Sequence, residues 1–501
     1  MPLNDIIFVK GQGGLGRPLS GEDHISGIAF YGVDALPSGF SDNPYQVVYS
    51  ISGAEALGIV ADCSDATSAV GTITVDTLGV DGDKVTVKIG EPQGAVVTLA
   101  SYTKVSGDST KELVATAITA LINANTRTHG YVAVADGSGV DITAPKKLGV
   151  YLNGTACTVT NVGTIVVSGA PFSGGWASEL AVQHYHIAEY FRIQPKGVLW
   201  IAMSTSAPTD YSEVSFLQTT SGGKIRQVAV YRMVSSTTGD LETIQAMCDT
   251  LDDTHMPISS VVVGSNRVEE DLETLADLGE LNAPKVSAVI GQDFNGLGGY
   301  LFYTSQYSIT CVGAVLGAIS LATVSQDIAW KGKFDLSNGF ELDTIGFANG
   351  QPSVFVTPNL ISTLCDKRYI FLVKNIGSAG TYINDSYTAI TETSDYCFIE
   401  NNRTIDKAIR GAYASLLPEI GAPIQLNADG TISDVTINHL KSVAAPNLDQ
   451  MVRDSDLSNY SVDINPTQDV LATSKIIVSI NLLPKGVSRV IQVNIGFVKS
   501  I

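Results

Sequence analysis

Charge is scarce in this chain. Asp, Glu, Lys and Arg make up 16% of its 501 residues, against about 25% in ordinary soluble domains. Cations are the scarcer sign, with 30 Lys and Arg against 50 Asp and Glu for a net charge of −20. No block of Lys or Arg occurs anywhere, which excludes the electrostatic grip on phosphates that nucleic-acid binding needs, so no nucleic acid is an expected partner. Low charge beside 44% apolar residues and 48 glycines suits a chain that buries much of its surface in an assembly. Cysteine is equally sparse: Cys63, Cys157, Cys248, Cys311, Cys365 and Cys397 are scattered, with no CxxC and no His at zinc-ligand spacing. That excludes a disulfide framework or zinc module, and the thiols read as reduced, small apolar residues. The sequons at Asn153, Asn384, Asn402 and Asn459 therefore carry no weight. Long hydrophobic runs are missing too. The nearest, Ile309 to Val324, is too short for a membrane span and carries polar residues. The opening MPLNDIIFVK lacks the basic, apolar and small-residue succession of an export signal. Direct membrane insertion is not expected.

Catalytic signatures are also absent. There is no Gly-x-Ser-x-Gly, no Gly-x-x-x-x-Gly-Lys-Ser/Thr and no His-Glu-x-x-His, so the reading is not an enzyme, with no cofactor and no metal. His184-Tyr-His186 with Glu189 resembles a metal triplet on paper. On a helix, residues two apart project about 200° from each other, so both imidazoles cannot reach one ion. His184 joins the stripe of Leu180, Ile187 and Phe191 and reads as a half-buried, satisfied histidine. In the acidic run from Glu269 to Asp277, Leu272, Leu275 and Leu278 define a buried side, so the carboxylates read as a solvated helix face favoured by the N-terminal dipole.

The stretch VKGQGGLGRP contains Gly11-x-Gly13-x-x-Gly16, the spacing of a dinucleotide cradle, and it keeps an α/β nucleotide-binding protein or enzyme as the alternative reading. The cradle works only between a strand and a helix whose N-terminal amides face the phosphates. A strand over Asp5–Lys10 is plausible, but Arg17, Pro18, Leu19, Ser20 and Gly21 begin no helix. The plain reading is a glycine-rich joint at Gly11, Gly13, Gly14 and Gly16 following a short strand, Ile6-Ile7-Phe8-Val9.

The length allows roughly three domains, and the pattern along the chain sets their edges. From Ala66 to Gly175 short Thr/Val/Gly-rich strands recur: Gly71–Asp76, Lys84–Ile89, Ala95–Leu99, Gly130–Ala135 and Gly163–Val167. One helix interrupts them over Asp108–Asn123, capped by Asp108 or Ser109, with an apolar stripe of Leu113, Ala117, Ile118 and Leu121. From Trp176 to Ile370 helices over Ala177–Phe191, Leu241–Leu251 and Val268–Leu278 alternate with apolar strands over Gly197–Met203, Val228–Tyr231, Ser259–Val263 and Lys285–Ile290. That is the pattern of a mostly parallel sheet covered on both faces, with Ile309–Val324 as a closely packed core helix. The expected fold class is therefore α/β and α+β multidomain. Residues 1–40 form an N-terminal arm and strand, and residues 41–65 and 176–370 an α/β core. Residues 66–175 form an inserted β-rich outer domain, and residues 371–501 a C-terminal α+β domain with extended terminal strands.

In the last domain, the helix from Thr404 puts Ile405, Ala408, Ile409, Ala412 and Leu416 on one face and Asp406, Lys407 and Arg410 on the other. A helical stretch near Leu448–Leu457 follows. Two strands then close the chain, Lys475–Leu483 and Ser488–Val498, around a type I turn at Leu483-Pro-Lys-Gly. Ile491, Val493, Ile495 and Phe497 form one apolar face of the last strand. Such strands either complete their own domain or pair with a neighbour's sheet.

Several segments together carry a resemblance. Gly11-Gln-Gly-Gly-Leu-Gly-Arg17, Gly27-Ile-Ala-Phe-Tyr-Gly and Leu36-Pro-Ser-Gly-Phe resemble the N-terminal region of contractile phage-tail sheath proteins of the Mu-like type. Arg403-Thr-Ile-Asp-Lys-Ala-Ile-Arg-Gly-Ala-Tyr, Leu416-Leu-Pro and Ile477–Phe497 resemble that family's C-terminal domain. The resemblance implies a homo-oligomer of hexameric rings stacked helically around an inner tail tube protein, between baseplate and tail terminator proteins. Contraction of that sheath would drive the tube through a target envelope. It implies a place in a virion tail or phage-tail-like particle, assembled in the bacterial cytoplasm. It also implies inter-subunit strand pairing by Ile6, Ile7, Phe8 and Val9 and by Ile491, Val493, Ile495 and Phe497, with the glycines as hinge. A sheath must hold its tube and later release it, which favours polar contact; Lys407 and Arg410 are the tube-facing candidates, or else ordinary solvated residues.

Overall fold

The computed structural model describes residues 21–232, 237–264, 271–305 and 309–497. The Asp5–Lys10 strand and the glycine joint lie outside the described residues, as does the start of the acidic segment. The strands are β1 (Ile25–Tyr31), β2 (Tyr45–Val48), β3 (Val70–Thr77), β4 (Lys84–Gly90), β5 (Val96–Thr103), β6 (Val132–Asp136), β7 (Gly139–Thr143), β8 (Thr158–Val162), β9 (Val166–Gly169), β10 (Val198–Ser204), β11 (Gln227–Arg232), β12 (Ser260–Gly264) and β13 (Val286–Val289). Two short pairs follow, β14 (Gly291–Asp293) with β15 (Ile345–Phe347) and β16 (Leu372–Val373) with β17 (Tyr382–Ile383), and then β18 (Leu457–Asp463) with β19 (Ser479–Pro484).

A six-stranded sheet in the order β13-β12-β11-β1-β10-β2 forms the centre, parallel except for β2, which runs antiparallel to β10. Every residue of β11, β12 and β13 is buried, as expected of strands covered on both faces. β1 occupies the middle of this sheet, so residues 25–31 pack as core rather than as part of an arm over residues 1–40.

One face carries the Glu179–Ile193 and Val312–Leu321 helices, and the other the Ser212–Thr220 and Thr238–Asp253 helices. Val312–Leu321 is buried throughout apart from Leu321. Its small residues let two backbones approach: a Cβ at Gly313 would collide with the His186 backbone, and one at Gly317 would stand 3.0 Å from the Tyr190 carbonyl oxygen. Each Val, Ile or Leu fully buried here contributes about 1.5–3 kcal/mol over an exposed one.

Residues 70–169 build two further sheets, β6-β7-β3-β9 and β5-β4-β8, closed by a helix over Lys111–Ala124. Their core, with Ile73, Val87, Leu99, Ile118 and Ile142, is distinct from those of the central sheet. The helix starts later than its sequence suggests, because Thr110 is the residue whose side chain accepts the Leu113 amide. Its buried stripe is Val114, Ala115, Ile118 and Ile122, while Leu113 is 44% exposed. The register turns by one residue because β-branched Val114 and Ile122, four to either side of Ile118, meet the sheet.

Two other expectations are corrected. In the acidic segment, described residues 271–280 form 3-10 turns at Leu272–Thr274 and Leu278–Glu280. Asp271 and Asp277 accept the amides two residues on, so these acids cap turns instead of lining a helix. Leu272, Leu275 and Leu278 are buried as the spacing suggested. The helical stretch near Leu448 belongs to a helix over Asp434–Arg453, capped by Ser433, with Pro446 in its interior. Leu457, in contrast, opens β18.

Candidate assembly surface at the C-terminal end

The C-terminal region is built on the Ile399–Leu416 helix. Its expected orientation is corrected: the charged side faces the body. Asn402, Arg403, Thr404 and Asp406 are buried, whereas Ile409 is 51% and Tyr413 39% exposed. Arg403 donates to the Ala322 and Thr323 carbonyls at 3.2 Å. Lys407 reaches Asp23 and Asp456, both at 2.7 Å, and so ties the chain before β1 to the turn before β18. Burial works against the Lys407 charge, but Asp23 and Asp456 hold its pKa above the ordinary value. Arg410 donates to Ser259 Oγ at 3.4 Å; burial first, then the neighbouring Arg226, lowers its pKa to about 10. Neither cation stands on a free solvated face. A body that offers buried carboxylates and carbonyls outcompetes the weaker burial that Ile405 and Ile409 could find there.

β18 and β19 pair antiparallel, from Leu457 opposite Pro484 to Asp463 opposite Ser479. They rest on a small core with Ala408, Leu448 and Met451. Among the described residues this sheet has only two strands, so each strand keeps an unpaired edge. The hairpin expected around Leu483–Gly486 does not form, for residues 485–497 take no strand structure. In this segment Ile491 is 79%, Val493 68%, Ile495 91% and Phe497 109% exposed.

The physical reason is Arg489. Its Nε donates to both Asp385 oxygens at 3.0 Å, and its Nη2 donates to Glu400 Oε1 at 2.6 Å and to Ser386 Oγ at 3.3 Å. Asp327 Oδ2 stands 3.9 Å away, and the guanidinium lies over the Phe398 ring, 3.4 Å from its centroid. These contacts draw the chain away from β19 and leave an open cavity of about 800 Å³ between residues 485–491 and the body. Burial, then Glu400 and Asp385, push the Asp327 carboxyl up to about 6. In the sequence Arg489 shows only as a cation interrupting an apolar alternating segment, a signal that carries no sign of its partners.

Elsewhere the chemistry is quiet. His184 pairs with Glu55 at 3.1 Å, while His186 is fully buried against Tyr231, its ring 4.3 Å away. Burial pushes the His186 pKa down to about 3, so it is neutral, and the two imidazoles diverge as helical geometry requires. No group of three or more His, Cys, Asp or Glu suited to a metal ion occurs among the described residues. The described cysteines are free, and all but Cys365 are buried. No described helix is long and apolar enough to cross a membrane.

A family model described as DUF2586, C-terminal domain, matches residues 395–501, the stretch that holds the Ile399–Leu416 helix, β18, β19 and Arg489. A chain of the six-fold symmetrised cryo-EM structure of the anti-feeding prophage baseplate is similar at 15% identity with a TM-score of 0.42, over 64% of this chain and 80% of that one. A chain of the PVC sheath complex in its contracted state, from an extracellular contractile injection system, is similar at 12% identity with a TM-score of 0.43, over the same shares. No curated protein matches the chain.

Proposed function

We propose that this chain is a structural subunit of a contractile tail sheath. It polymerises as stacked hexameric rings around an inner tube, between baseplate and terminator proteins, and contracts to drive the tube through a target envelope. The observation that carries the reading is the C-terminal segment. Four apolar side chains at alternate positions, 491 to 497, stand in solvent beside a two-stranded sheet with open edges. An isolated two-stranded sheet is marginal in water, and an open edge next to an alternating apolar strand invites pairing between copies. The resemblance of the two chain ends to Mu-like sheath proteins supplies the kind of polymer. In this reading residues 66–175 lie on the outside of the sheath and the Ile6–Val9 strand pairs with a neighbouring copy. The inner tube meets polar groups of the C-terminal domain; Lys407 and Arg410 belong to that proposal, although their contacts within the chain do not favour them.

Negative-stain microscopy of the purified chain tests this. Tubes or rings are expected from the unaltered chain. Replacing Ile491, Val493, Ile495 and Phe497 by Ser, with Arg489 kept, is expected to leave discrete particles. Tubes from that variant would overturn the role of the segment. Discrete particles from the unaltered chain would return the α/β enzyme or nucleotide-binding reading.

A further inference from the structure

Arg489 has a second consequence, independent of whether the chain polymerises. Within residues 485–497, every hydrogen bond to the rest of the described chain is made by the Arg489 side chain. Packing adds little beside it: Val487 is half-buried, Val490 is 85% exposed, and the apolar residues after it are 68% exposed or more. The socket, by contrast, belongs wholly to the body. Asp327 follows the Val312–Leu321 helix, Asp385 follows β17, and Glu400 lies in the first turn of the Ile399–Leu416 helix. The side chains of Asp327, Asp385 and Glu400 are 9%, 12% and 4% exposed. Ser386 Oγ donates to the second Glu400 oxygen at 2.6 Å, which fixes that carboxylate whether or not Arg489 is present. Two other cations flank the cluster, and each is engaged elsewhere. Lys331 donates to the Ile383 carbonyl at 2.7 Å, and Arg368 donates to the Thr388 carbonyl and lies over the Tyr387 ring. The body therefore presents a preformed acidic site, backed by an aromatic ring, that takes one guanidinium.

We propose that Arg489 and the Asp327, Asp385 and Glu400 carboxylates form an ionic latch. Closed, it fixes the point from which the C-terminal segment leaves the body; open, it frees residues 485–497 together. A single side chain against a rigid socket makes docking all-or-none. The fork geometry explains why arginine serves here: Nε and Nη2, fixed in one plane, engage two carboxylates while the flat face of the guanidinium lies over the Phe398 ring, a combination an ammonium does not offer.

Cleavage by a lysine-specific protease between Lys485 and Gly486 reads the latch. Pro484 in β19 and Arg489 in its socket hold this stretch at both ends, so cleavage requires opening, and its rate follows the open population. The full chain is used, dispersed at low concentration so that assembly does not enter, and release of the fragment beginning at Gly486 is followed by mass. Arg489→Gln is expected to speed that release at least fivefold, and Arg489→Lys to do so as well. Because Arg489→Gln leaves acids unpaired in the body, a triple variant, R489Q with D385N and E400Q, removes the latch while neutralising the socket; it too is expected to show the fivefold gain. Release less than fivefold faster in the triple variant overturns the latch. The four Ser substitutions at 491, 493, 495 and 497 keep Arg489 and are expected to leave the cleavage rate unchanged, so loss of tubes and loss of the latch are read separately.

Discussion

β12 and the segment from Ile491 to Phe497 are both short, apolar and rich in β-branched residues, yet they end in opposite places. Val261, Val262 and Val263 are fully buried between helices on both faces of the sheet, whereas Ile495 and Phe497 stand almost wholly in solvent. The difference lies in the supply of partners. β12 has β11 and β13 on its two edges, while the terminal segment is led by Arg489 away from β18 and β19. In the proposed reading, an alternating apolar segment that finds no strand partner among the described residues is a surface for another chain.

The sharpest way to break this comparison is to place the same charge in both. Val262→Asp is expected to cost about 4 kcal/mol or more, because an unpaired carboxylate would sit in a dry core. Val493→Asp is expected to stay within about 0.5 kcal/mol in the dispersed chain. Urea unfolding followed by circular dichroism measures both, and comparable losses would mean that the terminal segment is packed in solution. A second, smaller contrast lies within the Lys111–Ala124 helix. Ile118→Ala is expected to cost about 2–5 kcal/mol and Leu113→Ala about 0.5 kcal/mol, so equal shifts of the unfolding midpoint would return the stripe to Leu113, Ala117 and Leu121.

The smallest expected effect is pH-dependent and sets the acids of the body against the exposed ones. Burial, with Asp34 and Asp65 nearby, pushes Glu179 up to about 7. Burial and the adjoining Asp293 push Glu341 up to about 7, and Asp327 is raised to about 6. A carboxyl with a raised folded pKa keeps its proton where the unfolded chain has released it. Stability from these groups is therefore greatest below about pH 4.5 and falls as pH rises through 6 to 7. The melting temperature at pH 5.5 is expected to exceed that at pH 8 by roughly 2 °C or more, and Glu341→Gln to narrow the gap. A melting temperature that rises toward pH 8 would contradict the burial of these groups.

Much of the architecture was legible because periodicity and composition are local. The apolar runs over Gly197–Met203, Val228–Tyr231, Ser259–Val263 and Lys285–Ile290 coincide with β10 to β13, and the Gly/Ala-rich segment from Ile309 contains the tightly packed Val312–Leu321 helix. The Asp434–Arg453 helix was seen only in its second half because Pro446 interrupts the pattern, and Pro ordinarily ends a helix. The acidic turns at Asp271 and Asp277 misled for the opposite reason. Leucines three apart fit a helix, but an Asp that bonds the amide two residues on favours a turn, and that competition leaves no trace in hydrophobic spacing.

What local pattern could not supply is which side of an element faces the body and what meets a charge there. The Ile399–Leu416 helix is amphipathic as read, but it turns its Arg403, Asp406 and Lys407 side inward, since Asp23, Asp456 and the Ala322 carbonyl come from segments hundreds of residues or dozens of residues away. The same holds for Arg489, whose partners arrive from the turn after β17, the loop after the Val312–Leu321 helix and the first turn of the Ile399–Leu416 helix. The linear sequence contained the strand-forming alternation of the last segment, because side-chain order is a property of the chain. Where that segment goes depended on three carboxylates converging through the fold, because electrostatic and hydrogen-bond partners are chosen by distance in space.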